Sequence, residues 1–334
     1  MTRLRQFAVI LISVVGLTSV FSHIITEWAG FETDVNQRRH FKISGKEYHA
    51  PPIIIAGGSI IGAAVDCDML ATNLERPVIP VVVPYGSPCE IEYLTRDVSN
   101  ADVTVVGVSI YELDDQFISE FRADIVPITQ TASDLWESHC DWAYVQRMIN
   151  YYPQSCLRML FPTLGRSMSV LVGVRAHLRR FLRPSAKGAP DELLKVNQSS
   201  TERITEWPRG RLLRNLAEME GECLGRHKFD GPKRLAFIRL LRQQARHGKV
   251  VVLLLPVSPP YRNELVNAED KAAYEKLVAE IAKEEPDVKW VRIDQLPEFE
   301  STDYFRDFNH MNLAGEQIAT KAIAAELKKI LIQP

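Results

Sequence analysis

Five short runs of aliphatic and β-branched residues constrain this chain most: Ile53–Ala56, Val78–Val83, Val103–Ser109, Lys249–Leu255 and Lys289–Ile293. Apolar runs of this length, punctuated by Gly, Pro or Ser, read as strands, and the densest of them as strands buried on both faces. Amphipathic stretches with helical spacing fall between and after them, at Ile61–Leu74, Lys233–His247, Lys271–Lys283 and Leu313–Leu331, and Gly248 stops the second. Strands that alternate with helices predict an α/β fold with a mostly parallel sheet and helices on both faces. The alternation pauses over residues 115–230, where no run reads as a strand. That stretch is expected to be a mainly helical insertion.

The N-terminus follows a different rule. Thr2-Arg3-Leu4-Arg5 is basic, no Asp, Glu, Lys or Arg occurs from Phe7 to Ile25, and the first acid is Glu27. At about 1.5 Å per residue, about 19 residues just cross a hydrocarbon core of about 30 Å. Residues 1–25 therefore read as an N-terminal transmembrane helix or a signal segment, with the basic end in the cytoplasm. A buried soluble helix is the competing reading. Either export reading predicts a bacterial-type inner-membrane protein, single-pass if the segment is kept, with its folded domain in the periplasm or extracellular space. Residues 26–50 are polar and read as a linker, which leaves 51–334 for the α/β domain and its insertion.

A formal net charge of -2 over 334 residues provides no basic excess to pair with phosphates, so no nucleic-acid partner is expected. The five cysteines, Cys67, Cys89, Cys140, Cys156 and Cys223, contain no C-x-x-C pair. No zinc site and no cofactor are expected from them. In an exported chain Cys140 and Cys156 are the local disulfide candidates, against isolated buried thiols.

The chemistry is expected at the strand exits, because ligands of open α/β sheets bind beyond the C-terminal ends of the strands. Gly57-Gly58-Ser59 follows the first run, Ser109 ends the third, and Asp307-Phe308-Asn309-His310 precedes the last helix. A serine hydroxyl is a weak nucleophile that needs a base beside it. His310 can take that proton near neutral pH and return it to a leaving group. Asp307, three residues earlier, can fix the imidazole tautomer. Gly57 and Gly58 are expected to let the backbone approach a substrate, and the Ser59 amide to donate to an oxyanion.

At these residues the chain resembles the SGNH/GDSL hydrolase superfamily. IIIAGGS resembles its Gly-x-Ser block after strand one, and DFNHMNLAG its Asp-x-x-His block followed by Asn and Gly. The resemblance implies a flavodoxin-like three-layer sandwich, with Ser59 as nucleophile, His310 as base and Asp307 as its partner. It implies an esterase, lipase, deacetylase or acyltransferase. With the anchor, the insertion and Leu255-Pro256-Val257-Ser258-Pro259-Pro260, the chain looks most like envelope-associated members that move acyl groups on cell-wall or extracellular polymers. The partners implied are an acylated carbohydrate or other ester substrate, the membrane, and envelope-polymer machinery. The middle blocks differ. Cys89 stands at the expected oxyanion glycine, and Gly107-Val108-Ser109 has no asparagine. Ser109 is therefore the oxyanion candidate, through its hydroxyl or its amide. A non-catalytic binding or scaffold protein of the same fold is the alternative, and the missing asparagine favours it.

Other readings of these residues fail or stay open. A dinucleotide turn over Gly57, Ser59 and Gly62 lacks its central glycine and the acid after strand two, and Gly62-Ala63-Ala64 excludes a P-loop. Arg158–Arg183 reads either as a basic helix on an anionic membrane or as a solvated helix face. Arg306 is either a contact for an anionic substrate group or a structural residue. His139, His177, His227 and His247 lack ligand-like spacing and read as surface or core histidines.

Overall fold

The computed structural model describes residues 13–22, 24–25, 50–82, 88–95, 101–115, 146, 150, 161 and 227–332. The chain divides into two units, Met1–Phe41 with Glu120–Thr201, and Lys42–Ser119 with Glu202–Pro334. In the first unit residues 13–22 and 24–25 are helical. Among the described residues no helix is long and apolar enough to cross a membrane. The expected linker, nearly all of the insertion and of Arg158–Arg183, and Cys140, Cys156 and Cys223 lie outside the described residues.

The second unit is built on five strands: β1 (Ile53–Gly57), β2 (Val78–Val82), β3 (Val103–Val108), β4 (Lys249–Leu254) and β5 (Lys289–Arg292). Their order is β2-β1-β3-β4-β5, and every pairing is parallel. The fold is therefore α/β with a parallel sheet, as the alternation predicts. Among the described residues its α-helices are, in chain order, α1 (Ser59–Ala64), α2 (Cys67–Leu74), α3 (Pro88–Thr95), α4 (Ile110–Leu113), α5 (Pro232–Ala245), α6 (Pro259–Glu264), α7 (Ala268–Glu284) and α8 (Leu313–Ile332).

Helices cover the sheet on both faces, which is why β1 and β3 are buried at every position. Ile53, Ile55, Val103, Val105, Val251 and Leu253 share one core cluster with Ala319, Ile323 and Leu327 of α8. The intervening positions face the other layer, where Thr104 Oγ1 meets Gln244 Oε1 of α5 at 3.0 Å. Pro80 sits inside β2 because β2 is an edge strand, where a missing N–H leaves no neighbour unpaired.

The helix expected over Ile61–Leu74 is two helices. Asp66 ends the first by capping the second: its Oδ1 accepts from the amides of Asp68 and Met69, both at 3.1 Å. Its own amide donates to Thr320 Oγ1 at 2.9 Å. A side chain that satisfies two orphan amides competes with a continuous helix. Helices α3 and α6 are absent from the sequence reading. Both open on proline at the first position, a start signal that was there to be read.

Candidate active site

The strand exits are shaped by a glycine pair. Gly57 of β1 lies in register with Gly107 of β3. A Cβ on Gly57 would stand 2.8 Å from Gly107 O and 2.7 Å from Ile61 Cγ2, and one on Gly107 would stand 2.4 Å from Ile61 Cδ1. The two glycines thus let α1 settle onto the sheet with Ile61 as its plug. The close contact they permit is with Ile61 of α1. Ser59, the first residue of α1, is left half-buried at the rim of β1 and β3. The chain runs from β1 to one side of the sheet and returns on the other at β3, so this crevice is the topological switch point.

The opposite wall is the loop before α8. An antiparallel bridge joins Phe305 to Met311, and the amide of Arg306 donates to His310 O at 2.9 Å. Asn312 ties the loop to the helix: its Oδ1 accepts from Gly315 N at 3.0 Å, and its Nδ2 donates to Asp303 O at 2.6 Å. Within this frame Asp307 Oδ1 accepts from the amides of Asn309 at 3.1 Å and His310 at 2.7 Å. His310 Nδ1 lies 2.9 Å from each Asp307 oxygen, and Nε2 lies 2.7 Å from Ser59 Oγ. Burial works to raise the Asp307 carboxyl, but the His310 ring and the His310 and Asn309 amides hold it below the ordinary 3.8. An ionised Asp307 requires the proton on Nδ1, which leaves Nε2 bare to accept from the Ser59 hydroxyl.

Neighbouring elements brace this loop. Ser258, after β4, donates its amide to Phe308 O at 2.9 Å. The Phe308 ring packs on Tyr261 of α6 and Tyr111 of α4, with centroids 5.8 and 5.9 Å away. The loop at 255–260 thus supports the Asp-x-x-His turn. Arg306 lies beside Asp307, with Nε 3.9 Å from Oδ2, a loose ion pair.

Ser109 is completely buried at the β3 exit. Its amide donates to Glu112 Oε2 at 2.9 Å, and its side chain faces the same residue in a capping box. The structure therefore commits the Ser109 amide to Glu112. Glu112, on α4, is missed by the sequence reading, although Ser109-x-x-Glu112 has the capping-box spacing that could have found it. Burial pushes its carboxyl up to about 8, against the Ser109 amide, the Lys233 charge and the Gly58 amide.

Other residues singled out in the sequence lie elsewhere. His227 is a core residue, its Nδ1 2.7 Å from Asp114 Oδ2 with both side chains buried. His247 is exposed. The Cys67 thiol is pushed up to about 12 by burial and by Asp66, Asp68 and Glu316. The side chain of Cys89 lies outside the described residues. Among the described residues no group of His, Cys, Asp and Glu could hold a metal ion.

No protein family and no curated protein matches this sequence. Solved structures follow a similar path. A protein from Streptococcus pneumonia, described as a candidate platelet activating factor, aligns with 91% of this chain and 96% of its own at 12% identity, TM-score 0.43. A candidate acylhydrolase from Bacteroides fragilis aligns with 91% of this chain and 98% of its own at 9% identity, TM-score 0.39. At these values the likeness assigns neither family nor activity.

Proposed function

We propose that this protein is an SGNH-like serine esterase or O-acyltransferase that works through an acyl-Ser59 intermediate. One observation carries the reading: Ser59 Oγ, His310 and Asp307 form an unbroken chain, with 2.7 Å between Oγ and Nε2 and 2.9 Å between Nδ1 and the carboxylate. Ser59 Oγ attacks the ester carbonyl while His310 Nε2 takes its proton. The tetrahedral intermediate collapses, and the departing alcohol takes that proton from His310. Water or an acceptor hydroxyl then attacks the acyl-serine by the same route in reverse. Asp307 holds the ring and stabilises the imidazolium. The Ser59 amide and the Ser109 hydroxyl are the proposed oxyanion donors.

The proposed substrate, taken from the family resemblance, is an acyl ester on an envelope or exported polysaccharide, met outside the cytoplasm by a domain tethered through residues 1–25. A basic N-terminus before an uncharged stretch supports that placement. A fluorophosphonate probe tests the chemistry. It is expected to label wild type and not Ser59→Ala, and a folded wild type that resists the probe would overturn the enzyme. That outcome would favour a binding or scaffold protein, the reading supported by the commitment of the Ser109 amide to Glu112.

A further inference from the structure

The antiparallel bridge before α8 sorts its side chains into two faces. Phe305 pairs with Met311, and both are buried in the core cluster. The flanking bonds, from Asn312 N to Tyr304 O at 3.0 Å and from Arg306 N to His310 O at 2.9 Å, set Arg306 opposite His310. Opposed residues of an antiparallel pair share a face, and successive residues alternate. Arg306 and His310 therefore emerge together on the side away from the core, where His310 meets Ser59. The position of Arg306 Nε, 3.9 Å from Asp307 Oδ2, agrees with that placement.

The Arg306 guanidinium is unmatched there. Asp307 spends its oxygens on the His310 ring and two amides. At 3.9 Å the Arg306 contact is too long for a hydrogen bond. Among the described residues the other half-buried arginines, Arg76, Arg234, Arg239, Arg262 and Arg292, each hydrogen-bond a carboxylate. Arg306 makes no side-chain hydrogen bond to any described residue, and its side chain is 35% exposed. A guanidinium carries five N–H donors in a planar fork that fits a carboxylate.

We propose that Arg306 binds a carboxylate carried by the alcohol part of the ester. The proposal rests on the acyl-serine reading above, in which His310 Nε2 hands its proton to the departing alcohol. That alcohol must lie against His310, and Arg306 is the neighbour of His310 on the same face. The acyl group lies instead toward the proposed oxyanion donors at the β1 and β3 exits. A single guanidinium balances one negative charge, which fits a carboxylate better than a doubly charged phosphate. On a polysaccharide substrate the acylated unit is then an acidic sugar.

The test is Ser59 labelling in the full-length protein, at neutral pH, by phosphonate esters that share one alkyl group. One displaces para-hydroxybenzoate and the other its methyl ester, so the pair differs in the leaving-group carboxylate. The readout is the ratio of the two labelling rates, in which a general loss of reactivity or order cancels. Arg306→Gln is expected to lower that ratio about tenfold. Arg306→Lys, which keeps the charge without the fork, is expected to lower it about threefold. In wild type the ratio is expected to fall about threefold between about 0.02 M and about 0.5 M salt. A third probe, with a carboxylate at the end of its alkyl chain in the acyl position, is expected to show no dependence on Arg306. An equal ratio in wild type and R306Q, a ratio indifferent to salt, or a loss confined to the third probe overturns the inference and leaves the acyl-serine reading standing. The salt series uses wild type alone and decides the question if R306Q does not fold. A folded wild type that none of the probes labels removes the acyl-serine reading and this inference with it.

Discussion

Asp307 serves three donors with one carboxylate: the His310 ring and the amides of Asn309 and His310. An asparagine there can keep the two amides on its oxygen. Its NH2 would then face Nδ1, which must become an acceptor, and the ring proton moves to Nε2. That proton would point at Ser59 Oγ, where a base is needed. Asp307→Asn is therefore expected to slow fluorophosphonate labelling by about 10³–10⁴-fold in a protein that still folds. A drop below tenfold would show that His310 does not depend on Asp307 for its tautomer. The residues of this turn were legible in the sequence because Asp-x-x-His is a local pattern, three residues apart. Glu112 was legible by the same kind of local pattern, the capping-box spacing Ser109-x-x-Glu112, but went unread. The packing role of Gly57 was hidden, because the atoms it accommodates belong to Ile61 and to Gly107 on the neighbouring strand.

The elements carrying these residues are locked to one another by buried polar contacts as well as by apolar packing. Thr320 of α8 is fully buried, accepts from Asp66 N at 2.9 Å and donates to Glu316 O at 2.7 Å. It secures the break between α1 and α2 to the helix that follows the Asp-x-x-His loop. Thr320→Val keeps the shape and removes the acceptor, so the Asp66 amide is stranded in the core. The expected loss is about 1–3 kcal/mol of unfolding free energy, read from denaturant titration. A neutral result would mean that the Asp66 amide finds another acceptor. The long apolar elements, β4 and α8 above all, were readable because their periodicity is internal. The break at Val65-Asp66 was hidden, since its acceptor Thr320 is 254 residues away.

At the scale of the molecule, two aspartates close the chain where it re-enters the α/β unit. Asp115 Oδ2 and Oδ1 accept from the amides of Gly231 at 2.8 Å and Lys233 at 3.1 Å, and the Asp115 amide donates to Lys228 O at 2.8 Å. Asp114 accepts from Lys228 N at 2.9 Å and meets His227. Residues 115 and 228 are thus neighbours in space, which explains how a stretch of over a hundred residues between β3 and β4 leaves the sheet order intact. Asp115→Ala strands two buried amides and is expected to destabilise the α/β unit by at least about 2 kcal/mol. A melting temperature equal to wild type would remove that account.

Proton linkage sets how the whole fold answers to pH, and two buried carboxyls of the site pull in opposite directions. Glu112 is raised from 4.5 to about 8 on folding, so the native state binds its proton more tightly than the unfolded chain does. Its stabilising contribution is full below 4.5, declines as pH rises and is gone above about 8. Within that window the slope reaches about 1.4 kcal/mol per pH unit before other groups are added. Asp307 is lowered from 3.8, so its contribution is present above 3.8 and is lost as pH falls below it. Between the two, maximal stability is expected on the acid side of neutrality, near the lower end of the Glu112 window. Glu112→Gln cannot titrate. Its unfolding free energy, measured by urea titration at pH 5, 6, 7 and 8, is expected to fall less steeply than that of wild type. Parallel curves for the two proteins would place the Glu112 proton on the same footing in the folded and unfolded states, and the desolvated carboxyl beneath Ser109 would then have no energetic role.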